Sequence, residues 1–141
     1  MIKVKKLNAN AILPTRAHEG DAGVDLYLSE DTTIFPGDTV LLPTGLAIAI
    51  PFGFEGQIRP RSGVSFKTGL RVCNAPGTID TSYRGEVKII MQNTGDTVYT
   101  LAQGDRIAQL VIAKVYLPDF EFVEELDDTT RGSGGFGSSG K

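Results

Sequence analysis

The chain has 141 residues, 40% of them hydrophobic and 22% charged, with no Trp; that is enough for one buried core and too little for two ordinary domains. Its 14 Lys and Arg against 17 Asp and Glu give a formal charge of −3, which excludes a global attraction to nucleic acid or anionic lipid. A single Cys and a single His, Cys73 and His18, exclude an internal disulfide, a zinc finger and an iron–sulfur centre.

The first patterned element is residues 22–26, AGVDL. Val24 and Leu26 alternate about Asp25, so a strand start turns this carboxylate away from the apolar face, toward solvent or a bound cation. A turn aspartate that satisfies nearby backbone donors is the plainer reading of the spacing alone. Leu46, Ile48 and Ile50 then alternate with Ala47 and Ala49, which predicts a strand. Residues 59–63, RPRSG, place two guanidiniums about a proline, then a hydroxyl and a glycine where a short helix over 62–69 begins. These are oxyanion donors, although a solvated surface turn has the same composition.

Residues 74–86, NAPGTIDTSYRGE, join two strands and present Asp80 and Tyr83 near a turn. A carboxylate there can orient or deprotonate a water that attacks phosphorus, and a tyrosine ring can floor a sugar. A capped hairpin with a packed Tyr explains the segment equally well. Val87, Ile89 and Met91 alternate with Glu86, Lys88 and Ile90 as a further strand. Residues 104–109, GDRIAQ, lead from a turn into the nearly continuous apolar run 107–116, which predicts a strand covered on both faces. Gln109 interrupts that run, and its amide must find partners, either a backbone carbonyl or a phosphate.

Past residue 118 the character changes. Residues 119–128 carry six acidic and no basic side chains, with Phe120, Phe122 and Leu126 between them, which reads as an edge strand or a docking segment. The tail 129–141 has five Gly and three Ser and is expected to be mobile without a partner or ligand. Residues 135–141 fit G-x-x-x-x-G-K, but no hydroxyl follows the Lys and no helix follows the motif, so this is not a Walker loop. What remains is an amide-rich cradle, with Arg131 for a terminal phosphate and Phe136 to stack on a base. Seven Pro and 17 Gly punctuate the chain, and no stretch supports an amphipathic helix of 12 residues. The expectation is an all-β antiparallel barrel or sandwich with one short helix and a flexible C-terminal tail. No apolar run approaches the roughly 18 residues of a membrane span and no signal core opens the sequence, so a cytoplasmic location is expected.

Taken in order, AGVDL, RPRSG, GTIDTSYRGE, GDRIAQL and RGSGGFGSSG resemble the five motifs of the trimeric dUTP pyrophosphatase (dUTPase) family, between residues 22 and 140. The resemblance implies a jelly-roll-like domain over 1–128 and a tail over 129–141 that closes as an active-site lid. It implies magnesium-dependent hydrolysis of dUTP to dUMP and pyrophosphate in a homotrimer with shared active sites, limiting uracil incorporation into DNA. By the same resemblance Asp80 orients the attacking water at the α-phosphorus, and Tyr83 lies beneath deoxyribose. Asn74, Gly77 and Ile79 belong to the hairpin that reads uracil. Arg61, Ser62, Gly63 and Gln109 serve the phosphates, Asp25 holds Mg2+ through water, and Arg106 stabilises the interface by charge pairing. Arg131 grips the terminal phosphate while Phe136 covers the base. No stable nucleic-acid or membrane partner is expected. Departures from the family's habit are Val64, Ser65 and Phe66 after the second motif, and Cys73 before the hairpin; none replaces a reacting group. A dCTP deaminase shares the implied fold, but GTIDTSY matches the diphosphohydrolase pattern.

Overall fold

Proline and glycine cut the chain into eleven short strands and one short helix in this computed structural model, which describes residues 1–138. The strands are β1 (Lys3–Lys6), β2 (Gly23–Tyr27), β3 (Thr32–Ile34), β4 (Thr39–Pro43), β5 (Leu46–Ala49) and β6 (Phe54–Arg59), followed by helix α1 (Ser62–Lys67). Then come β7 (Leu70–Val72), β8 (Gly77–Ile79), β9 (Lys88–Asn93), β10 (Tyr99–Leu101) and β11 (Arg106–Lys114). Every pairing is antiparallel: a four-stranded sheet β2-β11-β6-β8, a three-stranded sheet β4-β9-β7, and the pairs β1-β5 and β3-β10. These antiparallel sheets are what the short, punctuated strands predict, and the jelly roll is the fold that the family resemblance implies.

The core lies between the two larger sheets, because alternation along each strand sends one set of side chains inward. Leu26, Ile58, Ala108 and Leu110 enter from one sheet and Leu42, Leu70, Ile89 and Met91 from the other, all buried in one cluster. Strand β11 departs from expectation. Ile107, Ala108 and Leu110 are buried, whereas Gln109, Val111, Ile112 and Ala113 are only half-buried. The second sheet covers one face alone, and the apolar residues of the outer face are left partly open. Residues 119–128 form no strand; each is exposed, which removes the edge-strand reading and leaves the segment unpartnered in the single chain. Residues 139–141 of the expected lid lie outside the described residues.

One buried polar side chain ties the sheets to their loops. Asn93, fully buried at the end of β9, donates from Nδ2 to the carbonyls of Ile34 (3.2 Å) and Thr97 (2.8 Å), and its Oδ1 accepts from the Gly95 N–H (3.0 Å). Replacing it leaves the buried Ile34 carbonyl without this donor and removes the ties to the Thr97 carbonyl and the Gly95 N–H. Asn93→Ala should therefore lower unfolding stability by about 2–4 kcal/mol, read from urea denaturation; a loss within experimental error would show that these bonds are not needed.

Candidate active site

Strand β11 acts as the ruler for three of the motifs. Gln109 stands opposite Asp25 on β2 and opposite Arg59 on β6, so the three residues form one row across the sheet on its outer face. Two residues beyond Arg59, Arg61 turns back along this row. Its Nε donates to Asp25 Oδ1 at 2.8 Å, and its Nη1 donates to the Arg106 carbonyl at 3.1 Å. Arg106 Nη1 donates to Asp25 Oδ2 at 3.2 Å. Asp25 is thus not a turn residue facing solvent. Its side chain is 12% exposed, and both carboxylate oxygens are engaged by guanidiniums. The Gln109 amide takes the structural bond, donating to the Pro60 carbonyl at 2.9 Å. Its Oε1 occupies the space a Cβ on Gly23 would need, so the glycine of AGVDL serves close approach. Ser62 and Gly63 open α1 on the surface, with no side chain capping the helix.

The third motif is a turn stapled from several sides. The Tyr83 N–H donates to the Asp80 carbonyl (3.1 Å), closing a β-turn that leaves Asp80 exposed. Thr81 Oγ1 donates to the Ile50 carbonyl (3.0 Å), and Arg84 Nη1 donates to the carbonyls of Thr81 and Tyr83, both at 2.7 Å. The Tyr83 hydroxyl donates to the Glu86 carbonyl at 2.9 Å. Glu86 anchors the far end: its Oε1 accepts the Gly45 N–H (2.8 Å), and its Oε2 pairs with Lys88 at 3.4 Å.

Asp80 and Tyr83 open onto a cleft of about 510 Å³ whose walls include Asn74, Gly77 and Ile79 of the hairpin. All five residues expected to face the base, sugar and α-phosphate are therefore together. The motif patterns did not include Leu41, Ile58, Lys88 and Ile90, which share the cleft with Glu86 of the third motif. Leu41, Lys88 and Ile90 come from the outer face of paired strands β4 and β9, and only that long-range pairing brings them here.

The residues expected on the phosphate side are elsewhere. Arg61 and Arg106 line a second cleft of about 320 Å³, and Gln109 borders a third, of about 470 Å³, with Arg59, Pro60, Ala75 and Pro76. The β6–β8 register gives the reason. Ile79 stands opposite Gly56 and Gly77 opposite Ile58, so Asp80 lies beside the beginning of β6 while Arg61 follows its end. Roughly six residues of extended chain separate them, or about 20 Å, and one chain does not bring both to one phosphate. Arg131 and Phe136 are exposed in the tail and line none of these three clefts; Arg131 Nε donates to the Gly134 carbonyl at 2.8 Å.

Among the described residues no cluster of three His, Cys, Asp or Glu side chains is placed to hold a metal ion. Magnesium that arrives on phosphate oxygens and keeps most of its waters needs only one or two carboxylates. Asp25 fits that demand, since each oxygen accepts one guanidinium N–H and retains a lone pair for water.

The family model described as dUTPase matches residues 9–140. The deoxyuridine 5'-triphosphate nucleotidohydrolase of Rhodococcus erythropolis is 55% identical over 140 residues, covering 99% of this chain and 85% of that protein. That of Nautilia profundicola is 51% identical over 140 residues, covering 99% of each. Among solved structures, the Staphylococcus bacteriophage 80alpha dUTPase with dUpNHpp has a TM-score of 0.94 at 34% identity, covering 100% of this chain and 99% of that one. The dUTPase of phage phi11 of S. aureus has a TM-score of 0.86 at 30% identity, covering 92% and 99%. This chain belongs to the dUTPase family. A variant of the phi11 protein is described with a coordinated structural Mg(II) ion.

The ion cluster yields a direct test. Asp25→Ala leaves the Arg61 and Arg106 guanidiniums facing one another without a counter-charge. It should lower stability by about 1–3 kcal/mol, with the half-exposed Arg106 contributing the smaller share. Adding Arg61→Ala should recover part of that loss in urea denaturation; a double variant weaker by the full sum of the two singles would dismiss the coupling.

Proposed function

We propose that this chain hydrolyses dUTP to dUMP and pyrophosphate by attack of water on the α-phosphorus, in a homotrimer whose active sites are shared between copies. The observation that carries this reading is the Asp80–Tyr83 turn on the rim of a cleft walled by hairpin backbone. Its separation from the Arg61 cluster supports the shared site, since a second copy can supply the phosphate ligands that one chain holds too far away.

On this reading the Asp80 carboxylate accepts an O–H of the attacking water and aims its lone pair at phosphorus. The stapled turn fixes that aim before substrate arrives, so little reorganisation is needed during the reaction. Tyr83 presents its ring beneath the deoxyribose, where a ribose hydroxyl has no room. Asn74, Gly77 and Ile79 bring hairpin backbone to the pyrimidine edge; cytosine then mismatches the donors and acceptors, and the thymine methyl clashes. Arg61, Ser62, Gly63 and Gln109 bind phosphate oxygens, using donor groups not spent on Asp25 and Pro60. Arg106 keeps Asp25 and Arg61 in place. Asp25 would hold a triphosphate-bound Mg2+ through water, and the ion would supply charge neutralisation at the phosphate oxygens.

The tail 129–141 closes over the body 1–128, with Arg131 on the terminal phosphate and Phe136 on the base, and excludes bulk water. We place this reaction in the cytoplasm, where removal of dUTP would limit uracil incorporation into DNA. Among the described residues no helix is long and apolar enough to cross a membrane.

Asp80→Asn removes the carboxylate charge and replaces one acceptor oxygen with an amide donor while keeping the shape of the turn. Its kcat on dUTP should fall by about 100-fold or more, with binding of the imido analogue dUpNHpp retained in calorimetry. Turnover close to that of the unmodified chain would remove Asp80 from the mechanism.

A further inference from the structure

The third motif holds a glycine whose backbone does not call for one. Gly85 is not among the glycines with positive φ, so no left-handed backbone conformation calls for a glycine here. What it lacks is space. A Cβ built on Gly85 would meet three atoms of one neighbour before any other: the Tyr83 hydroxyl oxygen, Cζ at 2.6 Å and Cε2 at 2.9 Å. Ordinary carbon contacts lie near 3.5–4.0 Å, so a side chain here forces the ring aside by roughly 1 Å.

Hydrogen bonds fix the tip of the Tyr83 side chain and its backbone. Its hydroxyl donates to the Glu86 carbonyl (2.9 Å), and the Tyr83 carbonyl is held by Arg84 (2.7 Å). Tyr83 is 42% exposed and faces the same cleft as Asp80, so a displaced ring moves relative to whatever occupies that cleft.

We propose that Gly85 is a positioning residue for sugar specificity: its missing side chain forms the seat of the Tyr83 ring and thereby sets how strictly the site separates deoxyribose from ribose nucleotides. This rests on the reading that Tyr83 floors the sugar. A platform that rejects one added hydroxyl by lack of room works only while the ring height is fixed, and a shift of about 1 Å is enough to lose much of the discrimination.

The test is the ratio of kcat/KM for dUTP to kcat/KM for UTP in four proteins: the unmodified chain, Gly85→Ala, Tyr83→Ala and the double variant. Both single variants should lower the ratio, Gly85→Ala by about tenfold or more, and Gly85→Ala should have no further effect once the ring is gone. If Tyr83→Ala lowers the ratio and a folded Gly85→Ala does not, the inference about Gly85 falls while the role of Tyr83 stands. A further drop in the double variant also overturns it, because Gly85 would then act independently of the ring. An unchanged ratio in Tyr83→Ala overturns the sugar-platform reading and this inference with it. Should Gly85→Ala fail to fold, recovery of folding in the double variant supports the seat, and failure of both refutes it.

Discussion

The double pairing of β11 is the constraint on which the site depends. With β2 on one side and β6 on the other, it fixes Asp25, Gln109 and Arg59 in one row and delivers Arg61 to the Asp25 carboxylate. Strand period makes this arrangement all or none: a slip of one residue in either pairing would send Gln109 or its neighbours to the wrong face and pull Leu26 or Ile58 out of the core. Packing and site geometry are therefore specified by the same hydrogen-bond ladder. The same sheet, through β6 and β8, also sets the distance between the Asp80 turn and the arginine cluster.

Glycine and arginine do related work at the two ends of this sheet. Gly23 admits the Gln109 amide against the backbone of β2, and Gly85 admits the Tyr83 ring against the turn. Arg61 is committed partly to Asp25, whereas Arg84 is committed to the carbonyls of Thr81 and Tyr83. Neither arginine is a free surface cation, despite the exposure of this part of the molecule. A carboxylate between two guanidiniums stays fixed with little rotamer freedom left to lose, which is the condition for precise placement of phosphate ligands.

Much of this was legible in the sequence, for reasons that can be stated residue by residue. The alternation at Val24 and Leu26, at Leu46 and Ile48 and at Ile89 and Met91 marks strands, and each of these residues except Val24 is buried, with Ala47 on β5 buried as well. The short helix after RPRSG runs over Ser62–Lys67, two residues shorter than expected. Two local patterns misled. The apolar run in β11 suggested cover on both faces, although composition cannot say whether a second layer exists on the outer side. The partial alternation in 119–128 suggested an edge strand, but a strand needs a partner ladder and the chain provides none there. The Asp25 cluster joins residues 36 and 81 positions apart, and the split between the clefts depends on the register of β6 and β8; neither is written in local periodicity.

The division of the chemistry between copies is tested most directly by subunit mixing. Asp80→Asn and Arg61→Ala chains, each purified as an inactive protein, are unfolded together, refolded and assayed for pyrophosphate release from dUTP. If one copy supplies the water-aiming carboxylate and another the phosphate ligands, the mixture recovers activity that neither parent has, and a control in which the two are refolded separately and then combined does not. Activity in the co-refolded mixture no greater than in the parents would contradict a site completed by a neighbouring copy.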